Sequence, residues 1–299
     1  MKENKIFRKD RAIFYLFFIP GFLCFIPLII IPFVVNIIIS FTEWSGVGIP
    51  HFVGFANYIR AFNDSVFWLS FKNNLLLVIA MTIVPMTVGL VLAVLLYDIS
   101  SVKFGKFISN FFRAGYYLPQ TIAISTSALA WLWIYQPNWG AANWILKLAG
   151  IAPVNWLGDP RTAMLSILIM MVWFQIGYPL VIFISGIQRI DPQLFEAATI
   201  DGSGWFNNLF KIIIPQIKGE IYVVFLTAMI HALKIFGPVY AMTKTGGPGH
   251  STHVAGYFAF KNFFEVARVG YGAAISTILA LIIIIIIIVF INVQARTEE

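Results

Sequence analysis

The sequence predicts an all-α integral membrane protein with six transmembrane helices, both termini cytoplasmic, and a polar helix–corner–helix between the fourth and fifth spans. Three observations carry that reading. Hydrophobic residues make up 60% of the 299 and charged residues only 11%, so a water-soluble globule of this composition would have almost no surface to show. Uncharged stretches recur that are long enough to cross ~30 Å of hydrocarbon, which takes about 20 apolar residues in a helix. Lysine and arginine gather in alternate loops.

The first span covers approximately 12–42 and has no charge from Ala12 to Thr42, with Pro20, Pro27 and Pro32 expected to kink it. It is too long for a signal-peptide core and no small-x-small site closes it, so it reads as an uncleaved span. The loop from Glu43 to Ser70 carries turn residues, then a helical-looking segment around Ala56 to Phe62. Spans two and three follow at 72–97 and 112–136. Between Gln136 and Arg161, Trp139, Trp144 and Trp156 sit among Pro and Gly and read as an aromatic belt at the outer interface. The fourth span, 162–188, leads into a polar island at 191–215, and the fifth, 221–243, is interrupted by His231 and Lys234. Thr245 to His250 is a turn cluster without the Lys-Ser or Lys-Thr ending of a phosphate loop, which argues against nucleotide binding there. Glu265 and Arg268, at i and i+3 in an amphipathic stretch, read as a surface ion pair. The sixth span, 272–294, contains the run Ile282 to Ile288. A lone cysteine, Cys24, excludes an intrachain disulfide and a thiolate-built metal site.

Orientation follows from the basic residues. Lys2, Lys5, Arg8, Lys9 and Arg11 precede the first span, Lys103, Lys106 and Arg113 separate the second from the third, and Arg189, Lys211 and Lys218 flank or occupy the polar island. Arg296 follows the last span, and the alternate loops hold fewer cations in more residues. Both termini and the polar island are therefore placed in the cytoplasm. The net charge of +7 is explained by anchoring near anionic lipid and calls for no nucleic-acid partner.

The polar island reads as two short helices around a glycine corner. Asp191 can cap the first with its carboxylate, and Pro192 suits the first helical position because its missing N–H costs nothing there. Gly202 permits the turn, and the second helix carries Trp205, Leu209 and Ile212 or Ile213 at helical spacing before stopping near Pro215. Glu196-Ala197-Ala198, three residues, Gly202, nine residues, Ile212, one residue, then Ile214-Pro215 resembles the EAA loop of permease subunits in binding-protein-dependent ATP-binding-cassette importers. Ile214 departs from the family's usual leucine, a mild apolar swap. The stretches Ser40 to Ser45, Phe52 to Tyr58, Ala114 to Gln120 and Gly246 to Gly249 are similar, in order, to segments of the sugar branch of these permeases, the maltose and glycerol-phosphate type.

The resemblance implies a single permease domain over 1–299 in the cell membrane of a prokaryote. It implies as partners a second homologous permease, two ATPase subunits and an extracytoplasmic solute-binding protein. No Walker A sequence occurs in the chain, so no cofactor is expected here and ATP and Mg would be bound by the partner ATPases. The chain is expected to be a transport subunit and not an enzyme. Glu196, Ala197, Ala198, Asp201 and Gly202 are implied to form the coupling helix that docks on an ATPase, with Glu196 as a salt-bridge partner.

Polar residues inside spans usually face a cavity or a partner helix. His231 and Lys234, at i and i+3, read either as a polar wall of the solute pathway or as a snorkelling lysine beside a histidine bonded to a carbonyl. Trp173, Gln175, Gly177, Tyr178 and Pro179 form a second cluster, read either as a sugar-stacking site or as helix packing. Trp173, Gly177, Tyr178, His231, Lys234 and Phe236 are the expected pathway residues, and a carbohydrate the expected solute, with a phosphorylated polyol or an amino acid as the alternative. An ion-coupled carrier is disfavoured, since no Asp or Glu lies within an assigned span.

Overall fold

A computed structural model describes residues 17–100 and 105–298. The N-terminal basic cluster, residues 12–16 of the first span and Lys103 lie outside them. The fold is helical, with a two-residue antiparallel hairpin as its only sheet among the described residues. Among the described residues, four helices are long and apolar enough to cross a bilayer: Phe17–Ser40, Ser65–Ile99, Pro160–Ile187 and Val269–Arg296. The chain divides into two compact units, one made of the chain up to Asp64 with Ala259–Ile278, the other of Ser65–Phe258 with Leu279–Glu299.

In the first unit, α1 (Phe17–Ser40) contains a π-turn at Ile26–Ile30. Pro27 and Pro32 withhold backbone donors there, and the ladder shifts so that the Ile31 N–H reaches the Ile26 carbonyl. The hairpin pairs Thr42 with Phe52 and Glu43 with His51, and leads to α2 (Ala56–Asn63). The buried Asn57 amide donates to the carbonyls of Ser40 (3.0 Å) and Thr42 (2.8 Å), satisfying groups that the end of α1 leaves unpaired. Asn36 donates to Thr277 Oγ1 at 3.0 Å, and the Tyr271 hydroxyl donates to Asp64 at 2.8 Å.

The expected ion pair between Glu265 and Arg268 does not form. Residues Lys261–Glu265 make a π-turn and Ala267 then takes φ +55, so the helix ends before Arg268 and the i, i+3 geometry is lost. Among the described residues the salt bridge is Arg189 with Glu220.

The second unit is organised around α3 (Ser65–Ser100), which packs against α4 (Gly105–Thr121), α7 (Pro160–Gln175), α8 (Gly177–Ile187) and α11 (Lys218–Leu233). Contact between α3 and α8 is close because Gly89 has no side chain: a Cβ there would lie 2.9 Å from Pro179 Cβ and 3.1 Å from the Leu180 nitrogen. Leu180, Phe183, Ile184 and Ile187 of α8 form a buried cluster with Ala93 and Val94 of α3.

The structure breaks two of the expected spans. The third expected span is divided between α4 and α5 (Ile124–Ile134), with Ile122 and Ala123 outside either helix. The fifth is divided at Lys234–Phe236 between α11 and a short α12 (Gly237–Thr243). Trp156 also departs from the belt reading. Its ring packs 5.4 Å from Tyr135 and its indole N–H donates to Asn143 of α6 (Ala141–Leu148) at 2.9 Å, while Trp139 and Trp144 are exposed.

Replacing Gly89 with valine should overpack the α3–α8 contact and cost about 1–3 kcal/mol. Thermal unfolding in detergent should show the loss, and Gly21→Ala, which meets no atom within 4 Å, should not.

Candidate functional site

The helix–corner–helix forms as its local chemistry dictates. Asp191 Oδ1 accepts the Gln193 N–H at 3.0 Å, and Pro192 opens α9 (Pro192–Ile200). The helix closes on Gly202 at φ +71, with the Ser203 N–H reaching the Ala198 carbonyl (2.8 Å) and the Gly202 N–H that of Thr199 (3.1 Å). This pair of bonds is a Schellman cap, whose left-handed position favours glycine. The second arm, α10 (Trp205–Gln216), contains a π-turn at Leu209–Ile213 and bends by 75° into α11.

No residue of α9 is buried. Glu196, Ala197, Asp201 and Gly202 are exposed and Ala198 is half-buried. Ile200, at the corner, is 87% exposed, with Phe206 and Phe210 also facing outward. The opposite side is anchored: Phe195 packs 5.9 Å from Tyr97, and Leu209 and Ile213 are buried. Arg189 and Glu220 form an ion pair that ties the chain entering this segment to the chain leaving it. Sequence reasoning counted Arg189 only as a topological charge and did not find its partner, 31 residues away.

At the other end of α11 lies a cavity of about 490 Å³. His231, Lys234 and Phe236 line it together with Gln120, Phe174 and Gln175. The break places them there. His231 occupies the last turn of α11, Lys234 is its C-cap, and Phe236 begins the next helix from an extended φ of −145. Gln120 is held by a 3.0 Å bond to the Phe174 carbonyl, and the Phe236 ring stacks on Tyr240 with centroids 5.6 Å apart. The lining thus combines aromatic rings, two amides, an imidazole and an amine, and no carboxylate. Such a set can stack on apolar faces and hydrogen-bond to hydroxyls.

The remaining sequence candidates lie elsewhere. Trp173 points into a separate cavity of about 390 Å³ bounded by Phe111, Phe112, Tyr116 and Pro119, and packs edge-on against Trp131 at 5.5 Å. Gly177 is a packing residue, since a Cβ there would come within 2.8 Å of Tyr117 Cα. Tyr178 is half-buried against the α3–α8 cluster. Gln120 was missed as a lining residue, although an amide inside an apolar span is the same signal that singled out Gln175.

Comparison with known proteins agrees with this architecture. Residues 86–298 match the family described as "Binding-protein-dependent transport system inner membrane component". The chain is 34% identical over 277 residues to the "Probable ABC transporter permease protein YurN" of Bacillus subtilis, covering 92% of this chain and 93% of that protein. It is 30% identical over 249 residues to the "Xylose/arabinose import permease protein XacH" of Haloferax volcanii, covering 83% and 77%. A solved bacterial alginate ABC transporter in complex with an alginate pentasaccharide-bound periplasmic protein superposes with a TM-score of 0.83 at 20% identity, over 97% of this chain and 96% of that one. The chain belongs to the binding-protein-dependent transport system inner membrane components, the multi-pass membrane permeases of ABC importers.

Proposed function

We infer that the chain is one of two permease subunits of an ATP-driven carbohydrate importer and that it moves a sugar delivered by an extracytoplasmic binding protein. The observation that carries the reading is the placement of the exposed corner and the polar cavity at opposite ends of one short path. From Gly202 the chain runs through α10, bends, and continues as α11 to the cavity. At 1.5 Å per residue the 16 residues of α11 span about 24 Å. A displacement at the corner reaches His231 and Lys234 through α10, the 75° bend and the length of α11.

In this reading the four long helices supply four spans, and the two broken ones, α4 with α5 and α11 with α12, complete six. Both termini and α9 lie in the cytoplasm, as the distribution of lysine and arginine requires. Glu196 to Gly202 docks on an ATPase subunit, which binds ATP and Mg, and Glu196 pairs with a basic residue there. Ile200, 87% exposed at the corner, is free to add an apolar contact to the same docking. His231, Lys234 and Phe236 line the solute pathway, with Phe236 offering a ring to a sugar face and the polar groups taking hydroxyls. The carbohydrate assignment is supported by relatives named for xylose, arabinose and alginate. A second reading, an anionic polar solute such as a phosphorylated polyol, is favoured by Lys234 standing in a lining that holds no carboxylate.

Affinity purification from the native membrane in mild detergent should recover an ATPase, a second permease and a solute-binding protein; recovery of an active chain alone would overturn the reading. Glu196→Lys should weaken ATPase co-purification while leaving the chain inserted, and unaltered recovery would remove Glu196 from the interface. Gly202→Val, forced into a left-handed conformation that costs a β-branched residue about 1–2 kcal/mol, should separate ATP hydrolysis from uptake. In the assembled importer, Lys234→Ala or His231→Ala should raise the KM for uptake roughly tenfold with assembly unchanged, the loss of about one hydrogen bond to a bound solute.

A further inference from the structure

A break inside a membrane helix leaves backbone groups without partners, and where those partners are found shows what holds the break in place. At the end of α11, beside the backbone bonds from Lys234 and Ile235, partners are supplied by one buried side chain. Asn74 of α3, 1% exposed, directs its amide N–H₂ toward the carbonyls of Ala232 (3.3 Å) and Leu233 (3.2 Å), the last two residues of α11. Its Oδ1 accepts the N–H of Ala255 at 2.7 Å, the first residue of α13 (Ala255–Phe260). One amide therefore caps the C-terminus of one helix and the N-terminus of another.

Its neighbour repeats the arrangement on the intervening loop. Asn73, 4% exposed, donates to the carbonyls of Ser251 (3.0 Å) and His253 (2.8 Å). The loop is shaped to be gripped this way. Gly246 at φ +80 lies against the His253 ring, where a Cβ would come within 2.7 Å of Tyr257, and the Thr252 N–H returns to the Gly246 carbonyl at 3.0 Å.

We propose that Asn73 and Asn74 form a latch holding the break at Lys234–Phe236 against the glycine-rich loop, and that its release opens the cavity beside His231 and Lys234. The two asparagines are positioning residues: neither lines the cavity, yet both fix the backbone that presents its wall. The latch is suited to opening. Four of its five bonds go to carbonyls, and the two to α11 are the longest of the set, so the α11 end is the weakest. The proposal rests on reading the cavity as the solute pathway.

The test is run on the resting complex with neither solute nor ATP added, so it reads the latch without calling on transport, and its failure is distinguishable from failure of the importer reading. In a Cys24→Ser background, Ile124→Cys places a single reporter thiol on the cavity wall. Its labelling by a membrane-impermeant thiol reagent is measured on the assembled complex in lipid vesicles, with reagent added from the side bearing the 244–254 loop. Asn74→Asp keeps the acceptor for Ala255 but, even protonated, can donate to only one of Ala232 and Leu233, and should raise the labelling rate several-fold, up to about tenfold, as expected when a net hydrogen bond is lost from the closed state. Asn73→Asp, which frees only the loop, should give a smaller rise. Unchanged labelling in both variants would overturn the latch. Hydrogen exchange on the unmutated complex gives a reading independent of variant folding: the stretches 233–237 and 251–256 should open together, with matched protection, and protection differing by more than about tenfold between them would overturn it as well.

Discussion

Backbone hydrogen bonding without water is the constraint on which this structure turns. In hydrocarbon each unpaired N–H or C=O costs several kcal/mol, so a membrane helix can be interrupted only where other protein groups complete its bonding. The chain interrupts α11 before α12, and α4 before α5, in the compact unit that also carries the polar cavity. Asparagine is the side chain that can meet the need from a neighbouring helix, because it donates and accepts at once. Asn74 does both, Asn73 uses its donors alone, and Asn57 applies the same chemistry where α1 ends. The cavity is thus a consequence of how the backbone is paid for, since Lys234 and Phe236 face it only because the helix stops between them.

Rigidity elsewhere makes the break useful. In the proposed coupling, a displacement at the Gly202 corner would dissipate before reaching the cavity if every contact in the unit were loose. Gly89 lets α3 and α8 approach to backbone contact, Gly177 does so for α8 against α4, and the Arg189–Glu220 pair closes the base of the helix–corner–helix. Arg189 is 70% exposed, so the ion pair adds little stability by itself. Its contribution is geometric, fixing the two chain ends between which the corner lies. Phe225 stacking on Phe290 at 5.8 Å ties the middle of α11 to the last helix in the same unit.

What the sequence revealed divides along the range of the interactions involved. The cap at Asp191, the proline at the start of α9 and the left-handed glycine at 202 were legible because each is set by chemistry within a few residues. The helix breaks were not, because apolar character continues through Ile122 and through Ile235-Phe236, and hydropathy alone cannot register an interruption. A local signal did exist at the second: Pro238 suits the first turn of a new helix and cannot donate to the ladder of a continuing one. Trp156 and Glu265 were misread for a different reason. The bond from Trp156 to Asn143 and the turn at Ala267 depend on tertiary packing that neighbouring residues do not encode. Trp173 shares a helix with Phe174 and Gln175, but the 100° between successive residues turns its ring into a different cavity.

In the pathway reading proposed above, selectivity at the cavity comes from differences in desolvation. An amine, an imidazole and two amides around about 490 Å³ provide donors in excess of acceptors and no fixed negative charge. A cationic solute entering this space meets Lys234 without a compensating carboxylate and is rejected by like charge as well as by dehydration. A polyhydroxyl solute replaces its water with the same number of bonds and gains ring stacking from Phe236, and an anionic one additionally neutralises the lysine. The lining therefore orders solutes as anionic or neutral before cationic, and it does so through groups that are held by the break and not by the helix around it. Under the proposed function, such a wall would leave fine discrimination among sugars to the protein that delivers them, because it needs only to exclude the wrong charge and to release what it admits.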